Sequence, residues 1–248
     1  GKRMRPVSDT RNFITKEGEK YLFYEDTRYR SVRGIARLKK DGAQISGDNF
    51  SVLELEQGAV LLGLSDGMGS GSVACRESEM VLDLVERFLE AGFTVETAIR
   101  MMNSAMVMKG ENDLYSTADL CTIDLYDGAA EFYKIGAAGS FLKRDGETSS
   151  FLAESLPVGT GMELQIARKK TQLKSGDLIV MVTDGVLEYL HVPKPEETMQ
   201  EIIESIRTSH PGVMAKKILE RVLLFTGGKA LDDMTVLTAC IWEKTNVG

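Results

Sequence analysis

Four acidic residues lie where strongly apolar segments begin or end, and their positions indicate a site for divalent cations. Asp66 ends VLLGLSD and Asp184 ends IVMVTD, whereas Asp48 precedes FSVLELE and Asp232 precedes MTVLTACIW. Rigid strands would therefore carry these carboxylates. Mg²⁺ and Mn²⁺ prefer oxygen ligands and often retain several waters. Two such cations about 4 Å apart are a known arrangement for phosphoryl hydrolysis.

The glycine-rich segment SDGMGSG, residues 65–71, also allows a competing interpretation as a dinucleotide-binding loop between a strand and a helix. Two details argue against it. Ser72 stands where the third glycine of that loop would be, and Asp66 would repel the pyrophosphate at the helix N-terminus. The segment therefore favours a metal site.

Histidine-based hydrolases fit the sequence poorly. Only two histidines are present, and both His191 and His210 lie in polar segments close to prolines. A zinc hydrolase would lack ligands, and a Ser-His-Asp hydrolase would lack its G-x-S-x-G turn. Acidic residues gathered from distant parts of the chain are the remaining source of chemistry.

The composition indicates one well-packed domain that does not bind nucleic acid. The 248 residues are 43% hydrophobic and 27% charged, which is sufficient for a full core. A net charge of −7 argues against non-specific binding to nucleic acid. Three cysteines without paired spacing are typical of buried thiols in a reducing compartment. Because the first residue is Gly, we expect a piece of a longer protein.

Hydrophobic periodicity predicts strands, two helices, several hairpin-linked strands, two further helices and a final strand. Gly92 would end the first helix and Thr94 would cap the second. Turns are expected at Asp127–Gly128, Asp145–Gly146 and Ser175–Gly176, and the later helices near 196–208 and 212–225. Because strands and helices do not alternate regularly, antiparallel sheets flanked by helices are favoured over a parallel α/β fold. The last strand, 234–242, is apolar on both faces, as expected in the middle of a layered fold. We predict an N-terminal linker or lead-in at residues 1–33 and one α+β domain at residues 34–244.

Five short motifs, SGDN, SDGMGSG, STADL, TDG and DDMT, follow one another in register. Together they resemble the metal-dependent (PPM, type 2C) serine/threonine protein phosphatases, from about Gly34 to Trp242. Within that family, the segments NSAMVMKGENDLYSTADLCTIDL and SGDLIVMVTDGVLE are most similar to the bacterial sporulation branch.

This resemblance implies a four-layer α-β-β-α sandwich with two Mn²⁺ or Mg²⁺ ions between its sheets. Asp66 would be the bridging carboxylate, and Gly67 would offer its backbone carbonyl to the second metal. Asp184 and Asp232 would bind the first metal, and Asp48 would act through metal-bound water. Asp66, Asp184 and Asp232 would thus be the catalytic residues. Asp233, where many relatives have Asn, would not bind a metal directly but would support the residues that do.

Two departures from the family pattern leave questions open. Eukaryotic-type members hold the substrate phosphate with an Arg shortly upstream of the first acidic motif, and here Arg37, Lys39 and Lys40 are the candidates. The residue that binds the phosphate is therefore unknown from the sequence. Ala137 stands where a third-metal Asp is found in relatives, so a third metal would need Asp119, which could equally be a structural hydrogen-bonding residue.

The resemblance implies a phosphatase that acts on a phosphorylated anti-sigma-factor antagonist protein during bacterial sporulation. It further implies a cytoplasmic domain of a larger, membrane-anchored protein, and it admits a homodimer. The alternative is a catalytically silent regulatory or scaffold domain of the same fold. Retention of Asp66, Asp184 and Asp232 favours the enzyme.

Overall fold

A computed structural model gives the structure of residues 4–6, 23–55, 58–69, 71–109, 115–153, 155–161 and 163–245. Apart from a short helix not predicted from the sequence, Asp184–Glu188, which precedes the two predicted helices before the last strand, the elements follow the predicted order. They are β1 (Met4–Pro6), β2 (Phe23–Glu25), β3 (Tyr29–Leu38), β4 (Asp48–Leu55), β5 (Ala59–Asp66), α1 (Gly71–Glu90), α2 (Val95–Lys109), β6 (Ala118–Asp124), β7 (Ala129–Ile135), β8 (Ser140–Arg144), β9 (Glu147–Phe151), β10 (Ala167–Gln172), β11 (Leu178–Val182), α3 (Asp184–Glu188), α4 (Pro195–Ser205), α5 (Pro211–Phe225) and β12 (Met234–Glu243).

Ten of these strands form two antiparallel sheets of five strands each. Sheet I has the order β10-β7-β6-β5-β4, and sheet II has the order β3-β12-β11-β8-β9. The short strands β1 and β2 pair separately. Both sheets are built largely from hairpins, as the tight Asp-Gly turns between β6 and β7 and between β8 and β9 predict.

Three apolar clusters hold four layers together. The central cluster fills the space between the sheets and includes Leu62 and Leu64 of sheet I and Met181 of sheet II. A second cluster packs α1 and α2 on the outer face of sheet I. A third packs α3, α4 and α5 on the outer face of sheet II. The predicted α+β class and the α-β-β-α sandwich are therefore confirmed.

Strand β12 shows how the sequence encodes these layers. Met234, Val236 and Cys240 belong to the outer cluster under the helices, whereas Leu237 and Ala239 belong to the cluster between the sheets. Successive side chains of a strand point to opposite faces. A strand that is apolar on both faces is therefore buried on both, and the prediction for this segment is confirmed.

Helix boundaries agree with their sequence features, with one shift. Gly92, after α1, has a left-handed φ of 86°, as a helix stop requires. Thr94 caps α2, because its Oγ1 accepts the Thr97 amide hydrogen bond at 3.3 Å. Helix α4 ends at Ser205, three residues before the predicted 208, because Ile206 already has an extended backbone.

The start of one strand and the connection between two others differ from the sequence-based expectations. Strand β3 begins at Tyr29, so the predicted domain start at Gly34 falls inside a strand whose residues 29–33 pair with β12. The turn at Ser175–Gly176 joins β10 of sheet I to β11 of sheet II, so these strands are not a hairpin. None of the helices in the described ranges combines the length and hydropathy needed to cross a bilayer.

Candidate metal centre

The two sheets bring acidic residues together at one end of the sandwich. Asp48 is the first residue of β4 and lies directly opposite Asp66, the last residue of β5, in sheet I. Sheet II contributes Asp184, the first residue of α3 after β11, and Asp232, two residues before β12. Asp184 thus lies just beyond the end of its strand, which stops at Val182.

Asp66 interacts with the other three acids that the sequence singled out, by a hydrogen bond or through their charges. Its side chain shares a hydrogen bond with Asp184. Burial raises the pKa of Asp66 to about 10, and the hydrogen bond with Asp184 is the second cause. The negative charges of Asp48 and Asp232 raise this pKa further. All four carboxyl groups therefore lie within electrostatic reach of one point.

Asp48 is fully buried, and its two oxygens have different surroundings. Oδ2 accepts hydrogen bonds from Thr183 Oγ1 at 2.9 Å and from Thr235 Oγ1 at 2.6 Å. Oδ1 is also buried but has no hydrogen-bond partner among the described residues. Burial raises the pKa of Asp48 to about 6, while the hydrogen bonds from the two threonines oppose that rise.

Close backbone contacts that only glycine allows bring the acidic segments together. A Cβ on Gly67 would lie 2.0 Å from the carbonyl oxygen of Ala74, in the first turn of α1. A Cβ on Gly185 would lie 2.2 Å from the carbonyl oxygen of Asp233. Any side chain at these positions would push α1 away from the loop after β5, or α3 away from the segment before β12.

Asp233 supports the site by binding the backbone of the loop between β3 and β4. Its Oδ1 accepts the Lys40 amide hydrogen bond at 2.9 Å, and its Oδ2 accepts that of Gly47 at 2.7 Å. Both carboxylate oxygens are thus used to hold residues 40–47 beside the start of β12. This loop leads directly into Asp48, so Asp233 fixes how β4 enters the site.

The three basic candidates for phosphate binding have different environments. Arg37 donates to the main-chain oxygen of Asp48 and lies over the ring of Phe50. Lys39 Nζ donates to the carbonyl oxygen of Gln44 at 3.0 Å. Lys40 is half-exposed, and its Nζ lies 4.0 Å from Asp232 Oδ1, at the rim of the acidic cluster. Of the three, only Lys40 has its charged end within 4.0 Å of a side-chain carboxylate oxygen of the candidate metal ligands, among the residues that the structure describes.

Asp119 is engaged in a buried ion pair. Its Oδ2 accepts hydrogen bonds from Lys134 Nζ and from Ser140 Oγ, both at 2.7 Å, and Lys134 is fully buried. The Lys134 ammonium also donates to the carbonyl oxygen of Ala138. Ala138 follows Ala137, the position at which the sequence lacks the third-metal Asp that the resemblance led us to expect. Asp119 therefore already has a cationic partner, which favours the structural alternative for this residue.

Glu188 is a fifth acid at the site that the sequence analysis missed. It lies four residues after Asp184 in α3, and the charges of Asp184 and Asp232 both raise its pKa, with burial as the largest cause. The spacing of four residues places two side chains on the same face of a helix. That spacing could have identified it, had the start of a helix at Asp184 been recognised.

The residues of this cluster fit a divalent cation. In the described residues, no three His, Cys, Asp or Glu side chains already surround a common metal position; instead, Asp66 and Asp184 hydrogen-bond to each other. Negative charge is nevertheless in excess, since among the described residues Lys40, 4.0 Å from Asp232, is the one basic side chain that pairs with these four carboxyl groups. The buried, unpartnered Oδ1 of Asp48 is also an oxygen donor without a ligand. A cation would compensate both.

Comparison with known proteins identifies the family. A family model described as stage II sporulation protein E (SpoIIE) matches residues 56–242. The chain belongs to the SpoIIE family. It is 34% identical to stage II sporulation protein E of Bacillus subtilis (strain 168) over 230 residues, which are 92% of this chain and 28% of that protein. The corresponding protein of Priestia megaterium is 37% identical over 213 residues, 86% of this chain and 36% of that protein.

The chain therefore spans about a third of the curated SpoIIE proteins that it matches. The structure of the PP2C phosphatase domain and a fragment of the regulatory domain of Bacillus subtilis SpoIIE superposes with a TM-score of 0.87 at 32% identity. That superposition covers 98% of this chain and 71% of that one. Family and fold together place this chain with the PP2C phosphatase domains of the SpoIIE family, as the motifs indicated.

More distant members of the same fold support this identification. Phosphoserine phosphatase RsbX of Bacillus subtilis is 27% identical over 182 residues, which are 70% of this chain and 84% of RsbX. A crystal structure of RsbX in complex with magnesium has a TM-score of 0.65 at 23% identity, over 88% of this chain and 98% of that one. The latter likeness shows the shared fold.

Proposed function

We propose that this SpoIIE-family domain hydrolyses phosphoserine or phosphothreonine in a protein substrate with the help of two divalent cations, Mn²⁺ or Mg²⁺. The convergence of Asp48, Asp66, Asp184 and Asp232 from both sheets is the observation that carries the proposal. The raised pKa of Asp66 supports it, because carboxylates held together at such a cost normally have a function there.

In this proposal, the carboxylates of Asp66, Asp184 and Asp232 and the backbone carbonyl of Gly67 hold the metals, and Asp48 acts through an intervening water. Divalent cations supply two things here: they lower the pKa of a bound water and neutralise phosphoryl oxygens. Bound cations would in turn favour the ionised form of Asp66, against the burial that raises its pKa to about 10 in the metal-free protein.

Lys40 is our candidate for the residue that contacts the substrate phosphate. Its half-exposed ammonium group lies at the rim of the acidic cluster, where a phosphoryl group would enter. An open groove lined by Gln44, Ile45 and Ser72 continues from it along the surface. An ammonium group binds phosphate as a point charge rather than in the bidentate geometry of arginine. Selectivity would therefore depend more on contacts with a folded substrate.

The proposed substrate is a phosphorylated anti-sigma-factor antagonist, a small folded protein, in the regulation of bacterial sporulation. Membership of the SpoIIE family and similarity to RsbX, named a phosphoserine phosphatase, support this assignment. We further propose that the domain extends from Tyr29 to Lys244, is cytoplasmic, and belongs to a larger membrane-anchored protein that can form a homodimer. Residues before Tyr29 would be the lead-in.

A catalytically silent scaffold of the same fold is the alternative, and a phosphate-release assay separates the two. The chain is incubated with a panel of phosphoserine proteins, with Mn²⁺ or with chelator, alongside the Asp66→Asn variant. Phosphate release that requires Mn²⁺ and is lost in the variant supports the enzyme. Absence of release from every substrate, together with unchanged melting in Mn²⁺, would support the scaffold.

A further inference from the structure

One buried carboxylate oxygen joins three separate segments of the chain at the candidate metal centre. Oδ2 of Asp48, at the start of β4, accepts hydrogen bonds from Thr183 and Thr235. Thr183 is the N-cap of α3, and Thr235 is the second residue of β12. Asp48 and Thr235 are fully buried and Thr183 is nearly so, so water does not compete for these bonds.

The directions of these hydrogen bonds are fixed by the neighbouring groups. Thr183 Oγ1 accepts the amide hydrogen bond of Thr235 at 2.9 Å. The single hydroxyl hydrogen of Thr183 is then available to donate to Asp48. Thr235 donates its own hydroxyl hydrogen to the same oxygen. Two donors converge on Oδ2, and Oδ1 keeps all of its acceptor capacity.

This arrangement connects the two sheets where their acids meet. Asp48 lies opposite Asp66 in sheet I. In sheet II, Thr183 immediately precedes Asp184, and Thr235 lies three residues after Asp232. The hydrogen bonds therefore set the separation between Asp48 of sheet I and the carboxylates of Asp184 and Asp232 in sheet II, against the mutual repulsion of these charges.

We propose that Thr183 and Thr235 are positioning residues for the cation site, holding Asp48 so that Oδ1 faces the cluster as a free acceptor. The inference rests on the proposed metal-dependent function and assigns these two hydroxyls a part in it. Loss of either hydroxyl frees the Asp48 carboxylate to rotate and lets the sheets separate at the site. A metal ion then has to reorganise its ligands on binding, and its affinity falls.

The chain provides a matched control on the same strand. Thr238 is fully buried in β12, but its Oγ1 donates to the carbonyl oxygens of Gly34 and Pro211 on the helix side of sheet II. Thr238→Val therefore removes a buried hydroxyl of the same kind away from the acids. A general loss of packing or hydrogen bonding would affect Thr235→Val and Thr238→Val alike.

The test is calorimetric titration of the full chain with Mn²⁺ alone, so no substrate or turnover is involved. We expect Thr235→Val and Thr183→Val to bind Mn²⁺ at least tenfold more weakly than the wild type. Thr235→Ser retains the hydroxyl and should stay within about threefold of the wild type, and Thr238→Val should be unchanged. If Thr235→Val fails to fold, Thr183→Val and the serine variant decide.

Asp66→Asn in the same titration distinguishes failure of the positioning role of Thr183 and Thr235 from failure of the proposed metal centre. Wild-type Mn²⁺ affinity in both valine variants, with binding abolished in Asp66→Asn, would overturn the positioning role and leave the metal site standing. Equal weakening in Thr238→Val, or no rescue by serine, would also overturn it. Unaltered binding in Asp66→Asn would instead overturn the proposed metal centre itself.

Discussion

Replacing Asp66 with Asn should abolish the response to metal and yet stabilise the metal-free domain. The substitution keeps the shape of the side chain and removes a carboxyl group that must ionise to bind metal. In the absence of metal, burial and the neighbouring acids raise the pKa of Asp66 to about 10. An asparagine amide at this position can donate a hydrogen bond to Asp184 and so replace the proton of the Asp66 carboxyl group.

The size of the effect follows from the pKa of Asp66 in the folded and unfolded states. A carboxyl with an ordinary pKa of 3.8 that stays protonated in the fold costs at most about 4 kcal/mol at pH 7. Asp66 is partly exposed and the site can relax, so we expect a gain of about 1–2 kcal/mol for the variant. For a domain of this size that corresponds to a melting temperature about 2–8 °C higher.

The sign of the pH dependence provides a second check. Because the folded state holds its proton more tightly than the unfolded state, the metal-free wild type loses stability as pH rises. The loss begins near the ordinary carboxyl pKa of about 4 and continues toward the folded pKa of about 10. Asp66→Asn removes this titration, so its metal-free stability should be flatter across the same range.

The assay is thermal melting of both proteins in chelator and in Mn²⁺, at several pH values. Asp127→Asn is the matched control, because Asp127 also precedes a glycine at a strand end but lies in the exposed turn between β6 and β7. It should respond to Mn²⁺ like the wild type. An Asp66→Asn protein that is destabilised in chelator but still gains stability from Mn²⁺ would refute the reasoning and show that the site lies elsewhere.

Three further predictions concern the substrate and the chemistry. Lys40→Met should lower kcat/KM about 10- to 100-fold without weakening Mn²⁺ binding, whereas Lys39→Met should have little effect on either. Steady-state kinetics measures the first quantity and calorimetry the second. An equal loss of kcat/KM in the two variants would remove Lys40 from the phosphate site. A short phosphopeptide should be a much poorer substrate than the folded phosphoprotein, and similar specificity constants would contradict reliance on surface contacts. A triple Cys→Ser variant should keep its Mn²⁺-dependent activity, and its loss in a folded, metal-binding protein would argue against our mechanism. The three cysteines replaced are Cys75, Cys121 and Cys240. In the wild type, burial raises the pKa of the Cys121 and Cys240 thiols, which makes these two poor nucleophiles.

The sequence by itself determined the elements whose causes are local. Alternation of apolar residues identified β12 as a strand buried on both faces, because neighbouring side chains of a strand point in opposite directions. Gly92 and Thr94 marked the end of α1 and the start of α2 through backbone conformation and capping, which depend on a few adjacent residues. The acids at strand ends indicated the cation site because the position of each acid beside an apolar strand is also a local feature of the sequence.

Which residues meet across the sandwich was decided only by the tertiary structure. The turn at Ser175–Gly176 looks like a hairpin turn in the sequence, yet it carries the chain from one sheet to the other. Strand β3 extends back to Tyr29 because β12 offers partners for pairing, although its own pattern there is irregular. Strand pairing depends on residues distant in the chain, so local patterns do not specify it.

The same limit applies to the site. The sequence left Arg37, Lys39 and Lys40 equivalent, and only the fold brings the Lys40 ammonium group to the acidic rim. The link from Asp48 to Thr183 and Thr235 joins residues 135 and 187 positions apart. Hydrogen bonds act over about 3 Å and charge interactions over roughly 10 Å in salt solution, so their partners are set by how the two sheets pack.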